Sequence, residues 1–159
     1  MTPQEISDKL KTKFSDAVVE VKIEGVVDPY VKAAPARILD VAAFLQEDAD
    51  LQFDFLMCLS GVDYTKGILG VVYNLFSMTK RHKITIKVEV PVDKPEVPSV
   101  VSVWPSANWH EREAYDMFGI VFTGHPDLRR ILLPDDWEGY PLRKDYKVPE
   151  FYQGMKVPY

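Results

Sequence analysis

Residues 82–90, HKITIKVEV, alternate with a period of two. Ile84, Ile86, Val88 and Val90 point one way, and Thr85, Lys87 and Glu89 point the other. Such a run has one face for a core and one for water, so it belongs in a sheet covered on one side. Four further runs join it. In AVVEVKIE, Ala17, Val19, Val21 and Ile23 alternate with Val18, Glu20, Lys22 and Glu24. PYVKAA, residues 29–34, reads as a short strand. FDFLMCLSGVDY, residues 53–64, is strongly apolar and reads as a central strand. ILGVVYNLFSM, residues 68–78, comes after it across Thr65-Lys66-Gly67, a turn that suits a hairpin.

Two helical patterns interrupt these runs. Thr2, Pro3 and Glu5 form a capping box with proline at the first helical position, and Ile6, Leu10 and Phe14 make one apolar stripe behind it. After Pro35, Ile38, Val41, Ala42 and Leu45 fall at i, i+3, i+4 and i+7. The order helix, two strands, helix, three strands predicts an α+β fold: a two-layer sandwich of a mixed sheet with helices on one side.

The chain changes character at PVDKPEVPS. Nine of the 12 prolines lie at or after Pro91, as do all three tryptophans, Trp104, Trp109 and Trp137. One helix is predicted there, Ala107 to Phe118, stopped by Gly119. Beyond it the chain reads as an extended, proline-rich arm, which persists in a folded protein when something packs against it. The division expected is an α+β domain over 1–97 and a helix with its arm over 98–159, within one structural unit.

The bulk properties exclude several function classes. A formal net charge of −5 argues against a general nucleic-acid binder, which needs clustered Lys and Arg. A single cysteine, Cys58, forms no internal disulfide and cannot hold an iron–sulfur cluster alone. The N-terminal stretch is too charged for a signal peptide, and no apolar run approaches the ~20 residues that span a bilayer. These features point to a soluble, cytoplasmic chain.

The chemistry-bearing residues concentrate in NWHEREAYDMFG, residues 108–119. As an acid/base centre the pattern is poor. Glu111 and Glu113 sit two apart on a helix and face different ways, while Arg112 and Asp116, at i and i+4, can pair and hold that carboxylate ionised. As a zinc helix it fails too, because the position four after His110 is Ala114. His125 and Asp127 have no ligand spacing, and His82 sits beside Lys80, Arg81 and Lys83 in an expected hairpin turn, a poor place for a cation. Gly61, Gly67 and Gly70 make no phosphate cradle and read as turns. The physical reading is structural: Ala107, Glu111, Tyr115 and Phe118 share one face, Asn108, Arg112 and Asp116 another, which suggests ion pairs at a buried seam or an interface. Arg129 and Arg130 have Asp127, Asp135 and Asp136 as candidate partners. Arg143, Lys144 and Asp145, between prolines, read as an arm that docks on something.

These residues carry a resemblance. Glu111-Arg112-Glu113-x-x-Asp116-Met117-Phe118, then six residues, then His125-x-x-x-Arg129-x-Ile131-Leu132, resembles the signature of the C subunit of NADH:quinone oxidoreductase (respiratory complex I), the family of the mitochondrial 30 kDa and plastid J subunits. The likeness is dense from Pro98 to Tyr146 and compatible upstream. It implies an α+β sandwich and a chain without flavin, cluster or metal of its own, in a complex that uses FMN, iron–sulfur clusters, NADH and quinone through other subunits. It implies a peripheral, proton-translocating assembly on the cytoplasmic side of a bacterial inner membrane, with membrane association only through the complex. Partners would be chiefly the D (49 kDa-type) subunit near the quinone site, and also B, I and G. The expectation is that Glu111, Arg112, Glu113 and Asp116 fix the helix through ion pairs. His125, Arg129 and Arg130 would anchor the next turn, and Arg143, Lys144 and Asp145 would hold the arm on the partner. A related membrane-bound hydrogenase or formate hydrogenlyase-type complex is the alternative setting.

Overall fold

The computed structural model describes residues 1–157; the last two residues of the predicted arm, 158 and 159, lie outside the described part. Helix α1 (Pro3–Lys13) starts at the predicted box: Glu5 N–H donates to Thr2 Oγ1 at 3.3 Å, and Thr2 N–H donates to the Glu5 carboxylate at 2.7 Å. Its stripe of Ile6, Leu10 and Phe14 is buried. After β1 (Val18–Lys22) and β2 (Tyr30–Ala33), a short 3₁₀ turn over Pro35–Arg37 leads into α2 (Ile38–Glu47). That helix buries Ile38, Val41, Ala42 and Leu45, the four positions its spacing predicts. Each of its larger aliphatic side chains contributes about 1.5–3 kcal/mol by leaving water.

Strands β3 (Phe55–Asp63), β4 (Ile68–Phe76) and β5 (Lys83–Pro91) complete a five-stranded sheet in the order β1-β2-β5-β4-β3. The β2–β5 pairing is parallel and the others are antiparallel, so the sheet is mixed. The hairpin between β3 and β4 turns where expected, with positive φ at Thr65, Lys66 and Gly67. Leu69, Val71, Tyr73 and Leu75 of β4 and Ile84, Ile86, Val88 and Val90 of β5 line the buried face. On the other face Lys32 bridges Glu20 at 2.9 Å and Glu89 at 2.8 Å, and Thr85 bonds Asn74 at 3.0 Å.

Several expectations need correction. The FDFLMCLSGVDY strand is an edge, not the centre of the sheet. Its apolar content is explained from below, where helix α3 (Ala107–Phe118) packs on it. A register shift between Val18 and Glu20 breaks the alternation of β1, so Val19 is 64% exposed while Val18 and Val21 pack against the core. Gly61 and Gly70 lie inside β3 and β4 instead of marking turns. A Cβ on Gly61 would stand 2.6 Å from the Phe118 ring, and one on Gly70 would stand 2.5 Å from the Tyr64 ring. The imidazole of His82, just before β5, is turned inward: Nε2 donates to the Leu51 carbonyl at 2.7 Å and Nδ1 accepts from the N-terminal amine at 3.2 Å.

The second half of the chain is more ordered than its prolines suggest. β6 (Glu96–Pro98) and β7 (Val121–Thr123) pair in parallel, so α3 is the crossover of a small βαβ unit. Strands this short carry no readable period. The arm ends in a hairpin of β8 (Phe151–Tyr152) and β9 (Met155–Lys156). One buried apolar cluster runs from Ile6 through Val97, Trp104 and Ala107 to Phe122.

Candidate functional site

Helix α3 is held at both ends. At its C-terminus Gly119 adopts φ 77°, and its N–H donates to the Tyr115 carbonyl at 2.8 Å. The left-handed cap lets the chain reverse into β7. At its N-terminal side the indole of Trp104 donates to the Phe53 carbonyl at 2.8 Å, tying the approach to the core. Along its length the helix presents three buried charged side chains, Glu111, Arg112 and Asp116.

Asp116 is the centre of the arrangement. Its Oδ1 accepts from Arg130 Nη1 at 2.6 Å, and its Oδ2 accepts from the backbone N–H groups of Ile131, Leu132 and Leu133 at 3.0, 2.7 and 2.9 Å. One carboxylate thus folds three consecutive residues of irregular chain around itself. Burial pushes the Asp116 carboxyl upward, but the Leu133 amide, the Arg130 guanidinium and the Leu132 and Ile131 amides outweigh it and hold it below its ordinary value. Arg130 continues the chain of contacts, with Nη2 donating to the carbonyls of Trp137 at 2.9 Å and Gly139 at 3.1 Å. The Tyr140 ring has the guanidinium of Arg130 at 5.5 Å and that of Arg143 at 5.8 Å, within reach of cation–π attraction.

Arg112 does not pair with Asp116 as its i, i+4 spacing suggests. It donates to the carbonyls of Arg129 at 3.2 Å and Arg130 at 3.1 Å, and its guanidinium lies 5.7 Å from the Trp109 ring. The pairing fails because the turn at 129–133 brings both a competing cation, Arg130, and unsatisfied carbonyls to the helix, and buried backbone groups need partners. Glu111 makes no ion pair among the described residues either: its two oxygens accept from Ser99 Oγ at 2.7 Å and Val100 N–H at 2.8 Å. Glu113 is exposed, with no hydrogen bond or ion pair among the described residues.

His125 bridges α3 and the turn after β7. Nε2 donates to the Asn108 carbonyl at 3.1 Å, and Nδ1 accepts from Asp127 N–H at 3.0 Å. The Arg129 side chain pairs with Asp127 at 2.8 Å in solvent, one of the partners its neighbourhood offered. Asp136 instead accepts from Tyr152 and Gln153, closing the terminal hairpin on the arm. Arg143 lies 3.3 Å from Asp145, with its Nε out of hydrogen-bond alignment. The backbone N–H of Lys144 donates to Asp63 Oδ2 at 2.8 Å, and that of Leu142 to the Met117 carbonyl at 3.1 Å, so the arm is stitched to β3 and α3 of its own chain. Sequence reasoning missed Ser99, Asp63 and Tyr140. None has a motif; each is recruited by a contact between distant segments.

Among the described residues no group of three or more His, Cys, Asp or Glu side chains is placed to hold a metal ion, and no helix is long and apolar enough to cross a membrane.

Fold and site together define a two-layer α+β domain whose signature helix locks a C-terminal arm through buried charges. The chain belongs to the family of the 30 kDa subunit of respiratory-chain NADH dehydrogenase, whose model matches residues 31–152. It is 54% identical over 151 residues to the C subunit of the NADH-quinone oxidoreductase of Chloroherpeton thalassium, covering 94% of this chain and 63% of that protein. It is 49% identical to the C subunit of the Chlorobium phaeobacteroides enzyme, covering 96% of this chain and 93% of that one. Among solved structures it resembles a trypsin-resistant fragment of Nqo5, with a TM-score of 0.68 and 30% identity over 80% of this chain and all of that one. It also resembles a chain of the membrane-bound sulfane sulfur reductase, an archaeal respiratory membrane complex, with a TM-score of 0.74 and 27% identity over 91% of this chain and 85% of that one.

Proposed function

We propose that this chain is a structural subunit of the peripheral arm of a proton-translocating NADH:quinone oxidoreductase, performing no chemistry itself and holding other subunits in register. The observation that carries this reading is how the signature charges are used. Arg112, Asp116 and Arg130 are all engaged in fixing the segment 129–142 of the same chain, which leaves none of them available to a substrate. The segment they fix is rich in exposed apolar side chains: Leu132 is 64% exposed, and Leu142, Val148, Phe151 and Met155 are exposed further along, with Trp109 of α3 at 66%. Large apolar side chains on a stiffened arm are what a protein interface uses.

In this reading the arm and the exposed side of α3 dock chiefly on a D-type subunit near the quinone site, with B-, I- and G-type subunits in the same assembly. FMN, the iron–sulfur clusters, NADH and quinone are bound by those partners. The complex sits on the cytoplasmic side of a bacterial inner membrane, and this chain reaches the membrane only through it. The names of the similar relatives support a quinone-reducing complex over a hydrogenase or formate hydrogenlyase-type setting. The likeness to a sulfane sulfur reductase chain shows that the fold also serves other respiratory complexes.

Gentle purification from native membranes, with a tag at the N-terminus to spare the arm, tests the reading. Recovery of cluster-bearing partners with flavin and NADH-dependent quinone reduction is expected. Nickel without flavin would move the chain to a hydrogenase-type relative, and a lone chain under mild conditions would overturn the assembly role.

A further inference from the structure

Helix α3 carries two fully buried carboxylates with opposite surroundings. Asp116 faces a guanidinium and three backbone amides. Glu111, 0% exposed, faces only neutral donors, the Ser99 hydroxyl and the Val100 amide, one to each oxygen. Tyr73 of β4 is 1% exposed, and among the described residues its hydroxyl has no hydrogen-bond partner. The two groups feel each other: burial and then the charge of Glu111 raise the Tyr73 phenol well above its ordinary value.

Among the described residues no cation pairs with Glu111. β3 offers Leu59 and Gly61 on its inner face, while Asp63 at its end is bonded to Thr65 and Lys144. β4 offers Tyr73, the segment after β6 offers Ser99, and β7 buries Phe122. On α3 itself Arg112 is turned to the carbonyls of residues 129 and 130, and Arg130, from the segment after β7, is held by Asp116. A carboxylate taken out of water with no cation beside it favours its neutral form.

We propose that Glu111 is a reversible proton-binding site that latches α3 to the segment 99–101, with the Tyr73 hydroxyl as a donor in reserve for the ionised form. When protonated, Glu111 donates its own hydrogen to Ser99 Oγ and still accepts from the Val100 amide, and no charge is buried. When ionised, it accepts from Ser99 and Val100, and the otherwise unpartnered Tyr73 O–H turns toward it. Burial, opposed by the Ser99 and Val100 hydrogen bonds, raises the carboxyl to about 7, which places the exchange near neutrality. The inference is independent of the assembly role, because it concerns the folded chain alone.

The test is an NMR titration of the full chain labelled with ¹³C at glutamate side-chain carboxyls. One carboxyl titrating near neutrality, absent in Glu111→Gln, is expected. Tyr73→Phe removes a donor that serves only the ionised form and should raise the proton affinity of that carboxyl by about tenfold; Ser99→Ala removes a partner from both forms and should shift it in the same direction by less. No glutamate titrating well above the ordinary range, or a midpoint unmoved by both donor variants, would overturn the proposal. The two donor variants keep it testable if Glu111→Gln does not fold.

Discussion

Asp116 and Arg130, 14 residues apart in the chain, meet at 2.6 Å between Oδ1 and Nη1, with Asp116 wholly shielded from solvent and Arg130 nearly so. The pair joins the last turn of α3 to the irregular segment after β7, and the other Asp116 oxygen binds three successive amides of that segment. Arg130→Ala leaves a buried carboxylate without its cation, so a loss of about 3–5 kcal/mol is expected in urea unfolding. Asp116→Asn keeps the shape, removes the charge and should also destabilise. If Arg130→Ala unfolds at the wild-type midpoint, the pair does not hold the seam.

The two buried acids give opposite pH dependences. Asp116 is depressed when folded, so its stabilisation is present above the ordinary carboxylate range and is lost as pH falls through the folded value. Glu111 is raised from 4.5 to about 7, so its contribution is full below 4.5 and is lost as pH rises to about 7. The loss over that window amounts to about 3 kcal/mol. Thermal unfolding of the wild type should therefore weaken between pH 5 and 7 more than that of Glu111→Gln. Parallel curves for the two proteins would contradict this assignment.

Gly61 is required by a ring. Its missing Cβ leaves room for Phe118, whose Cδ2 would stand 2.6 Å away, so α3 can lie close on β3. Gly61→Ala should cost about 1–3 kcal/mol by overpacking, and Phe118→Leu in the same chain should recover part of it. Additive losses in the double variant would mean the two positions are not coupled.

The free edge of β3 carries no charged residue between Asp54 and Asp63 and exposes Phe55 and Met57. Uncharged edges invite pairing between chains. Met57→Lys should reduce self-association of the isolated chain in light scattering, with stability changed by no more than about 0.5 kcal/mol. Unchanged association would show that another surface is responsible.

Much of the fold was legible because its determinants are local. The Thr2–Glu5 box, the α2 stripe and the alternation of HKITIKVEV each fix an element from a few neighbouring residues, and all three hold. The failures are non-local. The position of β3 at an edge depends on α3, more than 40 residues later, supplying the cover its apolar run needs. The bulge that exposes Val19 depends on pairing with β2. At the site, the buried seam on α3 was readable from Glu111, Arg112 and Asp116, but their partners were not. Ser99, Arg130 and the amides of 131–133 reach the helix only through the β6–α3–β7 crossover, whose three-residue strands leave no periodic trace.

In the proposed role the signature charges build an assembly surface and take no part in turnover. The most direct test is Arg112→Ala in the native complex, with the amount of assembled complex and the NADH-dependent quinone reduction per assembled complex measured together. Arg112 holds the carbonyls of residues 129 and 130, so its loss should loosen the arm. Less assembled complex is expected, with turnover per complex nearly intact. Normal assembly with collapsed turnover would contradict it and place this helix in the chemistry.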